Sequence, residues 1–120
     1  MKSKKILFVE DNIIAAEAIK GFLANRWENL DVVGSAEEAL DIFLEKRHNI
    51  LITDIALPYM NGFELIRKIK DIDSDVEIFV VSATDNQENL KNAKELGVSK
   101  FFPKPIDLDL LESAVRGACN

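Results

Sequence analysis

Two periodicities alternate along this chain, and few folds accommodate that alternation. Short apolar runs recur at Ile6-Leu7-Phe8-Val9, Val32-Val33, Ile50-Leu51-Ile52 and Ile78-Phe79-Val80-Val81. Between them lie segments with apolar residues at helical spacing: Ala15/Ala18/Ile19/Phe22, Ala36/Ala39/Leu40/Phe43 and Leu65/Ile66/Ile69. Leu111, Ala114, Val115 and Ala118 repeat the spacing in a last helix. N-terminal signals agree with these helices. Ser35 with Glu38, Asn61 with Glu64 and Asp85 with Glu88 each place a capping residue three positions before a glutamate. Asn12 and Asp107 are caps for the first and last helices, and Gly97 is placed to end the fourth in a left-handed conformation.

Strands alternating with helices predict an α/β fold, a parallel sheet covered on both faces. The first, third and fourth runs are nearly continuous in apolar residues, as strands buried on both sides must be. The second is short and carries Asp31; the fifth, Lys100 to Phe102, runs into Pro103, which cannot donate to a ladder and belongs at an edge. These positions predict the order 2-1-3-4-5, a flavodoxin-like (βα)5 doubly wound sandwich. The fourth helix, Asn86 to Leu96, offers only Leu90, Ala93 and Leu96 as apolar residues and is expected to be among the less stable elements.

A chain of 120 residues is expected to form one domain, 1–120, without needing disulfides. Cys119 is the sole cysteine, so no internal disulfide can form, and it reads as a spare thiol at a helix end. The net charge of −6 argues against nucleic-acid binding by this domain. Lys2, Lys4 and Lys5 precede an apolar run too short for a signal-peptide core, and no stretch reaches membrane-spanning length. A cytoplasmic protein without membrane contact is the expectation.

Ligands of a doubly wound sheet gather beyond the carboxyl ends of its strands. Strand one ends there in Glu10-Asp11, strand three in Asp54 and strand four in Ser82, and strand five leads to Lys104. Each acid taken singly reads as a helix cap. Three converging carboxylates repel one another unless a cation relieves them. Mg²⁺ fits, because it takes oxygen ligands and needs only one or two carboxylates; no EF-hand loop is present to suit Ca²⁺. Lys104 reads either as a salt-bridge partner for the acids or as a clamp on a phosphoryl oxygen, and Ser82 as a turn residue or a hydroxyl donor. An aspartate can attack phosphorus to form an acyl phosphate, and such transfer depends mainly on positioning and charge neutralisation.

Four fragments, Val9-Glu10-Asp11-Asn12, Asp54 through Gly62, Val81-Ser82-Ala83 and Lys104-Pro105, resemble in order the receiver domain of bacterial two-component response regulators. The resemblance covers Lys5 to about Ala118. It implies that Asp54 is the phosphoacceptor and that Asp11 binds Mg²⁺ directly, with Glu10 acting through water. It further implies a metal contact from the Ala56 backbone carbonyl, Ser82 as switch hydroxyl, Lys104 as phosphate-binding lysine, and a cis Lys104-Pro105 bond. Phe101 corresponds to the aromatic that turns inward on activation.

Two departures stand out. Ala56 replaces a side chain that is often polar, and with Thr84 it is expected to affect phosphoryl lifetime; Pro103 directly before the lysine is unusual. The implied protein is a switch, not a metabolic enzyme, that catalyses its own phosphorylation and dephosphorylation. Its phosphodonor is a histidine kinase, a phosphotransfer protein or a small acyl phosphate. Its output is an effector domain or protein read by the helix 4–strand 5–helix 5 face, which is also open to homodimer formation. Three alternatives fit less well. A haloacid-dehalogenase-type phosphatase needs a second aspartate where Ala56 stands, and a flavin or nucleotide carrier needs a Gly-rich loop after strand one. An interaction module that is never phosphorylated has no need of the intact acidic pair, acceptor and lysine.

Overall fold

Alternation becomes a layered sheet in the computed structural model, which describes residues 4–83 and 87–119 and, at Cys119, the backbone only. The elements are β1 (Lys5–Val9), α1 (Ile13–Leu23), β2 (Asn29–Val33), α2 (Ala36–Lys46), β3 (Ile50–Asp54), α3 (Gly62–Ile72), β4 (Glu77–Ser82), α4 (Gln87–Glu95), β5 (Lys100–Pro103) and α5 (Leu108–Cys119). All strand pairs are parallel and the order is β2-β1-β3-β4-β5. This is the flavodoxin-like arrangement expected from the sequence. Val9 pairs with Thr53 and Asp54 with Val81, so the strand ends carrying Glu10, Asp54 and Ser82 come level at one edge of the sheet.

Because successive strand residues point to opposite faces, the sheet divides its apolar side chains between two cores. Leu7, Val9, Leu51, Ile78 and Val80 pack with Phe43 of α2, Leu65, Ile66 and Ile69 of α3, and Ala93 of α4. Ile6, Phe8, Ile50, Ile52, Phe79 and Val81 pack on the other face with Ile19 and Leu23 of α1 and Leu111 and Val115 of α5. Each large side chain so buried contributes about 1.5–3 kcal/mol.

Capping follows the sequence. The side chains of Asn12, Ser35 and Asn61 accept from the amides of Ala15 (2.9 Å), Glu38 (3.1 Å) and Glu64 (2.9 Å), and Asp107 from that of Leu110 (3.1 Å). Gly97 has φ 78, where the Val98 amide reaches back to the Ala93 carbonyl. The Asp85 cap and Thr84 lie outside the described residues.

Local differences from the sequence reading have simple causes. β2 begins at Asn29, earlier than its apolar core, because pairing with β1 recruits the polar Asn29 and Asp31 into the ladder. Ala18 is exposed although it has helical spacing, since α1 turns Ile19 and Leu23 inward instead. As the sparse pattern implied, Ala93 is the only buried residue of α4.

Candidate functional site

At the carboxyl edge, Glu10 and Asp54 are almost wholly buried while Asp11 faces solvent. One carboxylate oxygen from each of the three falls within 4.8 Å of the others. This is a set of hard oxygen donors around a point open on the Asp11 side, and it fits a small divalent cation such as Mg²⁺.

Lys104 answers the buried charge. Its ammonium donates to Asp54 Oδ2 at 2.5 Å and to Glu10 Oε1 at 3.0 Å. Burial alone would lower the lysine pKa, but the hydrogen bonds and charges of Asp54 and Glu10 outweigh it and hold it above the usual lysine value. Two of the three ammonium donors are thus engaged by acids. The lysine amide donates to the Ser82 carbonyl at 2.9 Å, which ties the end of β4 to the segment after β5. The Lys104–Pro105 bond is cis.

The remaining contacts set the acceptor in place. Ala56 donates its amide to Asp54 Oδ1 at 3.0 Å. The buried Thr53 hydroxyl donates to the Asp54 carbonyl at 2.9 Å, and the Asn12 amide donates to Glu10 Oε2 at 3.0 Å. Beneath Asp54, Gly62 opens α3 with its amide bonded to the Ile55 carbonyl at 2.8 Å. A Cβ at Gly62 would lie 2.2 Å from the Asp54 carbonyl oxygen, so no side chain fits without displacing that backbone.

Glu10, Asp11, Asp54 and Lys104 therefore come together. Ala56 joins them through its amide, and the buried Ser82 lies one residue beyond the partner of Asp54 on β4. Phe101 is not at the crevice; it pairs with Val80 and packs half-buried against the α3-side core. Sequence reasoning passed over Thr53 and the close approach of Gly62. Gly62 stands in the quoted Asp54-to-Gly62 fragment, but residue type alone does not show that its missing side chain is a spatial requirement.

The fold and the acidic crevice define a flavodoxin-like α/β domain with a candidate cation site at the carboxyl edge of its sheet. The chain belongs to the response-regulator receiver domain family, whose model matches residues 6–116, and is thus a receiver domain of two-component signalling. It is 36% identical over 119 residues to the transcriptional regulatory protein CrdR of Helicobacter pylori, covering 98% of this chain and 55% of that protein. It is 27% identical to the sporulation initiation phosphotransferase F of Bacillus subtilis, covering 97% of this chain and 94% of the relative. The chain therefore spans about half the length of the first relative and nearly all of the second. Among solved structures, the N-terminal domain of an uncharacterised Wolinella succinogenes protein superposes with a TM-score of 0.91 at 31% identity. That match covers 96% of this chain and 93% of the other. Among the described residues, no helix is long and apolar enough to cross a membrane.

Proposed function

We propose that this chain is one receiver domain over 1–120 in which Asp54 accepts a phosphoryl group from a histidine kinase, a phosphotransfer protein or a small acyl phosphate. The observation that carries this reading is the convergence of Glu10, Asp11 and Asp54, with Lys104 held between Glu10 and Asp54. Asp11, Asp54, Glu10 through water and the Ala56 carbonyl would hold Mg²⁺. When bound, the ion supplies neutralisation of the charge on the phosphoryl oxygens.

The chain's own groups do the rest. A carboxylate oxygen of Asp54 attacks phosphorus as the P–N bond of a phosphohistidine, or the P–O bond of an acyl phosphate, breaks. The bonding pair leaves on the donor's nitrogen or oxygen. The Ala56 amide keeps the carboxylate oriented, and Lys104 trades its contact with Asp54 Oδ2 for a phosphoryl oxygen. Ser82 donates its hydroxyl to another. Water attack on phosphorus then breaks the bond to Asp54 and restores the carboxylate, with the small Ala56 near its path. Self-catalysed gain and loss of phosphate makes the domain a switch.

Donor access and output occupy different faces. A donor must approach over the crevice rim, where Ile13 and Ile14 stand 79% and 83% exposed. Beside them runs a cavity of about 250 Å³ lined by Ala15, Ile19, Lys104, Pro105 and Ile106. On the output side, Ser82 and Lys104 follow the phosphoryl oxygens and Phe101 turns further inward, reshaping the α4–β5–α5 face. That face controls an effector domain or partner, or pairs two copies. A transcriptional role such as the name of CrdR gives would belong to such an effector, not to this acidic domain. The cytoplasm, where histidine kinases present their phosphodonor, is the proposed location.

Incubation with Mg²⁺ and a small acyl phosphate, followed by intact mass, tests the proposal. One phosphoryl group is expected on the wild type and none on Asp54→Asn or with a chelator. A wild type left unmodified by acyl phosphate and by a range of histidine kinases would instead support the interaction-module reading.

A further inference from the structure

The chain has one histidine, at the end of the sheet opposite the acidic crevice. His48 lies in the connection of residues 47–49 between α2 and β3. Both flanks are fixed. Arg47 closes α2 at φ 55 with its amide on the Phe43 carbonyl. Asn49 exchanges hydrogen bonds with Lys5 at 2.9 and 2.8 Å, and its carbonyl accepts from Glu77.

This connection seats the imidazole in the interior, 1% exposed and stacked on Phe43 with ring centroids 6.3 Å apart. Nε2 lies 2.8 Å from Asp31 Oδ2 on the edge strand β2, whereas Nδ1 is buried with no hydrogen-bond partner among the described residues. A neutral ring that donates from Nε2 satisfies this geometry. A second proton would reside on Nδ1, where no acceptor meets it and a buried charge is costly.

The surrounding charges point the same way. Asp31 from β2 is the facing anion. Lys46 from α2 reaches Asp31 Oδ1 at 3.1 Å, Lys5 from β1 donates to the Lys46 carbonyl at 2.9 Å, and the Arg47 guanidinium lies over the Phe43 ring. Burial first, helped by the Lys46 and Lys5 charges, outweighs Asp31 and holds the His48 pKa below the ordinary 6.5.

We propose that His48 and Asp31 form an acid-sensitive clasp that fastens edge strand β2 to the α2–β3 connection, and that protonating His48 releases the strand locally. Accepting the proton requires the ring to leave its pocket, which breaks the Nε2 contact. Release stays local because, among the described residues, β2 pairs only with β1 and its residues are half-buried or exposed, whereas β3 is buried along its whole length. The clasp owes nothing to phosphorylation and stands or falls apart from it.

The lone imidazole is its own reporter. Its nitrogen resonances and the amide exchange of residues 29–33, expressed as protection factors, should be followed from pH 7.5 downward. The ring should be neutral with its proton on Nε2 at pH 7.5 and titrate below 6.5. Protection in β2 should fall about tenfold per pH unit between 6.5 and the folded value, since only the open strand takes up the proton there. Amides of α3 should keep their protection, and His48→Phe should abolish the pH dependence in β2. A ring that titrates at or above 6.5 while β2 stays protected would overturn the clasp. So would loss of protection spread over the whole sheet, or an undiminished pH dependence in His48→Phe. The wild-type titration alone decides the matter if the variant fails to fold.

Discussion

At the scale of single residues, Lys104 carries most of the electrostatic burden. It offsets two buried carboxylates through contacts that raise its own pKa, so removing it leaves Glu10 and Asp54 facing one another uncompensated. Lys104→Met should destabilise the metal-free protein by about 3 kcal/mol at neutral pH, as loss of one partner of a buried pair does. Added Mg²⁺ should return part of that stability, and urea unfolding with and without the ion would read both effects. The sign with pH follows from the raised value. The lysine's contribution is complete below the ordinary 10.5 and is lost as pH rises through the folded value, so the gap between wild type and variant should close in strong alkali. Glu10, Asp11, Asp54 and Lys104 were legible in sequence because a strand end in this fold is a place, and residue type there is information. The His48–Asp31 contact was not legible, since two residues 17 apart meet only after β2 and the α2–β3 connection have been placed.

Elements differ in how openly they declare themselves. β1, β3 and β4 were read from unbroken apolar runs, whereas the start of β2 depends on its neighbour rather than on its own residues. The caps of α1, α2, α3 and α5 were visible as local chemistry. Asn61→Ala should cost about 1 kcal/mol by freeing the Glu64 amide, measurable by thermal unfolding. The first residue of α3 is the more telling position. Glycine-to-alanine in a helix ordinarily stabilises by about 0.4–1 kcal/mol. At Gly62 the added Cβ meets the Asp54 carbonyl, so Gly62→Ala should destabilise instead and slow phosphorylation by shifting the acceptor. A stabilised Gly62→Ala protein with unchanged phosphorylation would show that the acceptor loop does not depend on this contact. Sequence patterns record which faces are apolar; they do not record how near two backbones come.

For the whole molecule, the strand order followed from two edge marks, Asp31 in the second strand and Pro103 in the fifth, and that order brings the crevice together. It also leaves α4 weakly anchored, with Ala93 buried and Leu90 42% exposed, next to the Phe101 segment and joined through Ser82 and Lys104 to the crevice. A change at Asp54 should therefore reach this side first. Exchange protection over residues 87–105 should differ between the unmodified protein and its complex with Mg²⁺ and a phosphoryl mimic, while the α2 core around Phe43 stays unchanged. Equal protection in both states would exclude the α4–β5–α5 face as the output. Acceptance of phosphate by Asp54 can be read at one residue. Borohydride reduction of the freshly phosphorylated protein converts an aspartyl phosphate to homoserine, which peptide mass spectrometry can locate. Homoserine is expected at Asp54 alone; homoserine at Asp11, reduction of Glu10 to 5-hydroxynorvaline, or reduction at none of the three in a protein that carries phosphate, would contradict Asp54 as the acceptor.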